Sequence, residues 1–124
     1  MEYKPLNRLT TRRAGEAAEA MACRYLEQQG LRLIRHNYRC RAGEVDLIMQ
    51  DGEQLVFVEV RSRRNSRYGT PAESITKTKQ KRLYKAAAHY LLSSRSNAPC
   101  RFDVIAIVQQ DNRLEWIKDA FQVV

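Results

Sequence analysis

Two acidic residues stand inside segments that otherwise read as buried strands: Asp46 in Gly43-Glu44-Val45-Asp46-Leu47-Ile48, and Glu59 in Val56-Phe57-Val58-Glu59-Val60-Arg61. Removing a carboxylate from water is costly, so each should be paired with a cation or bind one. An ion pair with Arg39, Arg41 or Arg61 is one solution and a divalent metal ion is the other. Soft ligands are scarce: His36 and His89 are the only histidines, and Cys23, Cys40 and Cys100 form no CxxC pair. Carboxylate oxygens suit a hard ion, so the expected metal is Mg²⁺ or Mn²⁺.

Strand geometry constrains such a site, because alternate side chains share a face. With a two-residue Asp51-Gly52 loop, Asp46 faces Phe57 and Glu44 faces Glu59. With a loop from Asp51 to Gln54, Asp46 faces Glu59 directly. Either register puts Glu44, Asp46, Glu59 and Arg61 on one face, where opposed carboxylates call for a counter-ion. A three-residue loop would move Asp46 to the other face.

The elements that must hold these residues follow from periodicity. Ala14, Ala17, Ala18, Met21, Ala22, Tyr25 and Leu26 recur at helical spacing from about Arg12 to Gln29, with Thr10 or Thr11 as cap and Gly30 as stop. Leu31 to His36, Val45 to Gln50 and Leu55 to Arg61 read as strands, the last two joined at Asp51-Gly52. A second helix is expected from about Thr76 to Ser93, basic at first and then apolar at Leu83, Ala86, Ala87, Tyr90 and Leu91. Strands follow at Arg101 to Val108 and, after an Asp111-Asn112 turn, about Arg113 to Lys118. The order α-β-β-β-α-β-β predicts an α/β fold, a mixed sheet flanked by two helices.

The 124 residues, 44% of them apolar, suit one domain with its core at about 12–118. No apolar run of about 18 residues is present, and Met1 to Arg13 lacks the apolar centre of a signal peptide, which predicts the cytoplasm. An odd, scattered set of cysteines predicts reduced thiols rather than a disulfide framework. Lys and Arg total 22 against 14 acidic residues, a net charge of +8. The excess is focused: Arg61, Arg63, Arg64 and Arg67, then Lys77, Lys79, Lys81, Arg82 and Lys85, with Lys4, Arg8, Arg12 and Arg13 at the start. Such clusters attract phosphate backbones independently of sequence, or else form solvated faces.

At these residues the chain resembles the PD-(D/E)xK nuclease superfamily, and within it the YraN-like family, bacterial proteins predicted to be related to archaeal Holliday-junction resolvases. Gly15-Glu16-Ala17-Ala18 with Tyr25-Leu26, Asn37-Tyr38-Arg39, Gly43 to Ile48, Phe57 to Arg61, Lys79-Gln80 and Arg101-Phe102-Asp103-Val104 carry the resemblance, over roughly Arg12 to Val108. It implies a restriction-endonuclease-like sheet and an acidic cluster of Glu16, Asp46 and Glu59 that holds Mg²⁺ or Mn²⁺. By itself Glu16 also reads as a first-turn acid favouring the helix dipole, and Glu44 as an extra ligand or an exposed strand-start residue. The motif departs from the superfamily at Arg61, where lysine is usual. Arginine stays charged and suits phosphate contact better than water activation, and Lys79 from the following helix is a second candidate for the lysine's place.

The expected function is metal-dependent endonuclease action on the phosphodiester bonds of structured, branched DNA, with Glu16, Asp46, Glu59, Arg61 and Lys79 as catalytic residues. Arg61, Arg63, Arg64, Arg67, Lys77, Lys79 and Lys81 would grip nucleic acid, favouring shape over sequence. Two alternatives belong to other classes: a nucleic-acid-binding protein without turnover, and a structural domain whose arginine cluster is a solvated loop. Resolvase relatives imply a homodimer by analogy. Tyr68 could stack on a base or pin its loop; Trp116 and Phe121 read as core or a partner-facing patch rather than base-stacking platforms, and His89 as a packed helix residue.

Overall fold

The third strand is the spine of the molecule. In the computed structural model, which describes residues 8–64 and 75–122 with side chains from residue 14 onward, β3 (Gln54–Arg63) is buried without a break from Leu55 to Glu59. A strand covered on both faces must be apolar throughout rather than alternating, and Leu55-Val56-Phe57-Val58 meets that demand. Around it lie β1 (Arg32–Cys40), β2 (Gly43–Asp51), β4 (Cys100–Val108) and β5 (Arg113–Ile117), in the sheet order β1-β2-β3-β4-β5. Every neighbouring pair is antiparallel except β3 and β4, which run parallel and are bridged by α2 (Lys77–Ser93). With α1 (Arg8–Gln28) in front, the mixed sheet and two helices appear in the expected order.

Each helix covers one face. Ala18, Ala22 and Leu26 of α1 pack with Leu47, Met49, Val56, Val58, Ile105 and Ile107. Leu83, Ala86 and Ala87 of α2 pack with Val45, Ile48, Leu55, Phe57, Phe102 and Val104 on the other side. Alanines in both helices let the backbones approach the sheet closely. The stripe expected on α1 is narrower than its spacing suggests, since Ala14, Ala17 and Met21 are exposed. Thr10 and Thr11 also lie inside this helix rather than capping it.

Turn chemistry holds elsewhere. Gly30 ends α1 at φ +98 in a Schellman arrangement: its N–H donates to Glu27 O, and Leu31 N–H reaches back to Leu26 O. Thr76 caps α2 by accepting from Lys79 N–H. In the β2–β3 hairpin Asp51 pairs with Gln54, so the loop is Gly52-Glu53, with Gly52 taking the left-handed φ of +61 that a primed turn requires. The tight turn is one residue later than Asp51-Gly52, and the register is the second of the two expected, that of a loop from Asp51 to Gln54, which sets Asp46 toward Glu59.

An acidic centre where the sheet opens

Asp46 owes its position to a change of face in β2. Val45 and Leu47 are two apart and should share a side, yet Val45 packs in the α2 core and Leu47 in the α1 core. The opposite strand does the same: Tyr38, paired with Val45, is in the α2 core, while His36, paired with Leu47, lines a cavity on the α1 side. Between them Asn37 adopts φ +52, a left-handed conformation that asparagine tolerates better than most residues. Strict alternation therefore fails at Asp46, and the one-face grouping of Glu44, Asp46, Glu59 and Arg61 does not extend through this point.

The β2–β3 ladder stops at the same place. Its last pair is Leu47 with Val58, and beyond it Val60 N–H donates to Asp46 Oδ2 at 2.8 Å. A carboxylate thus takes over a backbone donor where the strands part. Glu59, only 5% exposed, lies beside it and meets two cations: Lys79 Nζ at 2.7 Å and Arg61 Nε at 3.5 Å from Oε1. The Arg61 contact is ionic only, because its buried Nε makes no hydrogen bond. Burial, followed by the charge of Glu59, pushes the Asp46 carboxyl up to about 8, against the lowering effect of the Val60 hydrogen bond.

The third carboxylate is Glu19. Burial holds its carboxyl above the ordinary range, partly offset by hydrogen bonds with Asn37 and Asp46. Glu16, exposed and one turn earlier, enters through its charge on Glu19. Helix geometry separates the two: at about 100° per residue, Glu16 stands about 200° round from buried Ala18, while Glu19 borders the stripe of Ala18 and Ala22. That reckoning was available from the sequence. Glu44 is an exposed strand-start residue, paired with Arg39 at 3.2 Å, whose charge still raises Asp46.

Of the expected phosphate contacts, Lys79 and Arg61 reach the centre. Lys77 and Lys81 are exposed, about 200° round α2 from Lys79. Arg63 and Arg64 stand at the end of β3, where their carbonyls accept from Gln109 and Gln110 N–H. Arg67 and Tyr68 lie outside the described residues, as do Lys4 and the side chains of Arg8, Arg12 and Arg13. Asp103 is structural. Fully buried, it accepts from Arg101 Nε, Trp116 Nε1 and Asp119 N–H at 2.9–3.2 Å. Trp116 and Phe121 pack as expected, edge-on to Tyr25 and stacked on Phe102. The imidazole of His89 meets the Tyr38 hydroxyl through Nδ1.

Among the described residues no three His, Cys, Asp or Glu side chains are already gathered as metal ligands, since Glu59 turns toward Lys79 and Arg61. The donor chemistry nonetheless fits a hard cation. Asp46, Glu59 and Glu19 offer only oxygens, and the Asp46 carboxyl is raised first by burial and then by the charge of Glu59, both of which a hard cation would oppose by favouring the ionised form. No helix among the described residues is long and apolar enough to cross a membrane.

The chain is 52% identical over 118 residues to a UPF0102 protein of Nitrosococcus oceani, covering 92% of this chain and 95% of that one. Similar proteins from Nitrosospira multiformis (49% identical, covering 93% and 98%) and Legionella pneumophila (47% identical, covering 90% and 96%) carry the same description. The model of Uncharacterised protein family UPF0102 matches residues 18–107, from the buried face of α1 to the end of β4, and the chain belongs to that family.

Proposed function

We propose that this protein is a metal-dependent endonuclease of the PD-(D/E)xK superfamily, hydrolysing phosphodiester bonds in structured DNA. The observation that carries this reading is the pair of carboxylates, Asp46 and Glu59, brought together where β2 and β3 part, with Lys79 Nζ 2.7 Å from Glu59. Asp46, Glu59 and Glu19 would hold Mg²⁺ or Mn²⁺. Such an ion offsets charge on phosphate and acidifies a coordinated water.

The remaining steps belong to the chain's own groups. Lys79, from α2 rather than from the strand, would take the role of the superfamily's lysine, a reading supported by its contact with Glu59. It balances Glu59 in the free protein and is placed to turn to a phosphate oxygen when Glu59 is otherwise neutralised. Arg61, permanently charged and with a buried Nε that makes no hydrogen bond, suits the developing charge on phosphate. Neither cation reads bases, so selectivity should lie in the shape of the DNA.

The decisive experiment incubates purified protein with Mn²⁺ and branched, nicked and single-stranded DNA. Cleavage that disappears in Asp46→Asn and Glu59→Gln supports the reading; cleavage of none of these substrates, or cleavage that survives both substitutions, overturns it. A second reading, a nucleic-acid-binding protein without turnover, is favoured by Arg61 at the motif's end and by the absence of a gathered ligand set among the described residues. It predicts DNA binding with steep salt dependence but no calorimetric heat from Mn²⁺ that depends on Asp46.

A further inference from the structure

Beside the acidic centre lies a cleft of about 630 Å³, between the β1–β2 turn and the first turns of α2. Its walls carry Arg39 from the end of β1, Arg41 from the turn, and Lys79 and Arg82 from the helix, against a single carboxylate, Glu44. Glu44 is already engaged by Arg39, and both side chains are exposed, so a phosphate could replace it at little cost. The walls are set by a tight junction: a Cβ on Gly43 would lie 2.7 Å from the Arg82 carbonyl oxygen, so the turn rests directly on the helix backbone. The cleft is continuous with the centre through two residues. Lys79 lines it while touching Glu59, and Glu44 lines it while its charge reaches Asp46.

We propose that this cleft binds the phosphodiester backbone flanking the reacting phosphate, with Arg39, Arg41 and Arg82 as its contacts. The inference rests on the reading of the protein as one that acts on phosphodiesters, and it names the surface that holds the substrate. Three arginines with forked donors on two facing walls suit successive phosphates better than a single small anion. Lys77 and Lys81, which the charge pattern alone favours, stand on another side of α2 and do not line the cleft.

The test measures binding of a short labelled DNA duplex in EDTA, so that hydrolysis plays no part. One variant carries Arg39→Gln, Arg41→Gln and Arg82→Gln; the control carries Arg24→Gln, Arg95→Gln and Arg113→Gln, three exposed cations outside the cleft. Both lose three charges from +8, so general electrostatics is matched. The cleft variant should weaken binding about tenfold or more and flatten the slope of log K against log salt by about 2 to 3. The control should change either much less.

A third variant, with lysine at all three cleft positions, keeps the charge and should retain most of the slope, which separates lost contacts from lost folding. Equal weakening by the control, an unchanged slope in the cleft variant, or no DNA binding by the wild type would overturn the proposal. The two readings fail separately. Cleavage with Mn²⁺ by a protein whose cleft variant binds normally removes the cleft alone, and arginine-dependent binding without any cleavage removes the nuclease reading alone.

Discussion

One helical turn separates Glu16 from Glu19, and that turn decides which carboxylate shares a hydrogen bond with Asp46. Glu19→Gln should therefore weaken Mn²⁺ binding about tenfold or more, whereas Glu16→Gln should change it far less. Titration calorimetry on the two variants checks this, and equal losses would return Glu16 to the centre. Asp46 carries a second prediction, for the metal-free protein. Its carboxyl is raised from 3.8 to about 8 by burial and by Glu59, so the folded state holds a proton that the unfolded chain has released. Raising the pH through that window favours unfolding, so stability should fall from about pH 4 to about pH 8 and then level off. Thermal melts in EDTA should show this fall, with Asp46→Asn flattening it and raising the melting temperature at the alkaline end. A wild-type profile that stays flat would show that Asp46 is ionised in the fold.

The elements were legible because each obeys local rules. The unbroken apolar run of β3, the Gly30 stop, the helix start at about Thr76 and the Gly52 turn all lie where their chemistry calls for them, whereas the cap expected at Thr10 or Thr11 does not. The change of face at Asp46 was not legible, because it depends on Asn37 taking a left-handed φ in a neighbouring strand, which periodicity within β2 cannot reveal. For the same reason the sequence marked Asp46 and Glu59 but not the way Glu19 reaches Asp46 from the α1 side. The sequence set Lys79 and Arg82 in a basic cluster but did not join Arg39 and Arg41 to them, because these are distant in sequence and share the cleft only through the Gly43 junction. That junction is testable. Gly43→Ala would press a Cβ against the Arg82 carbonyl, a backbone group that cannot swing aside, so we expect a loss of about 1–3 kcal/mol. Urea unfolding reads it, and a loss indistinguishable from zero would mean that the turn and α2 are not in direct contact.

At the scale of the whole molecule, the parallel β3–β4 pair must be tied to elements far from the acidic centre, and Asp103 does this. Its carboxylate, 0% exposed, gathers Arg101 from its own strand, the Trp116 indole N–H from β5 and the Asp119 N–H beyond it. Arg101 extends the network to the β2–β3 hairpin, donating to Gln54 Oε1 at 2.8 Å and lying 3.1 Å from Asp51 Oδ2. One buried ion pair thus joins the hairpin that sets the register of Asp46 to the C-terminal strand. Asp103→Ala would strip Arg101 Nε, the Trp116 indole N–H and the Asp119 N–H of their acceptor, leaving the guanidinium only Gln54 and the half-exposed Asp51, and should cost about 3–5 kcal/mol. The replacement removes no group from the acidic centre, so whatever fraction remains folded should bind Mn²⁺ and DNA as the wild type does. Urea unfolding and metal titration on the same preparation separate these effects. A small stability loss with abolished Mn²⁺ binding would move Asp103 from the scaffold into the functional site.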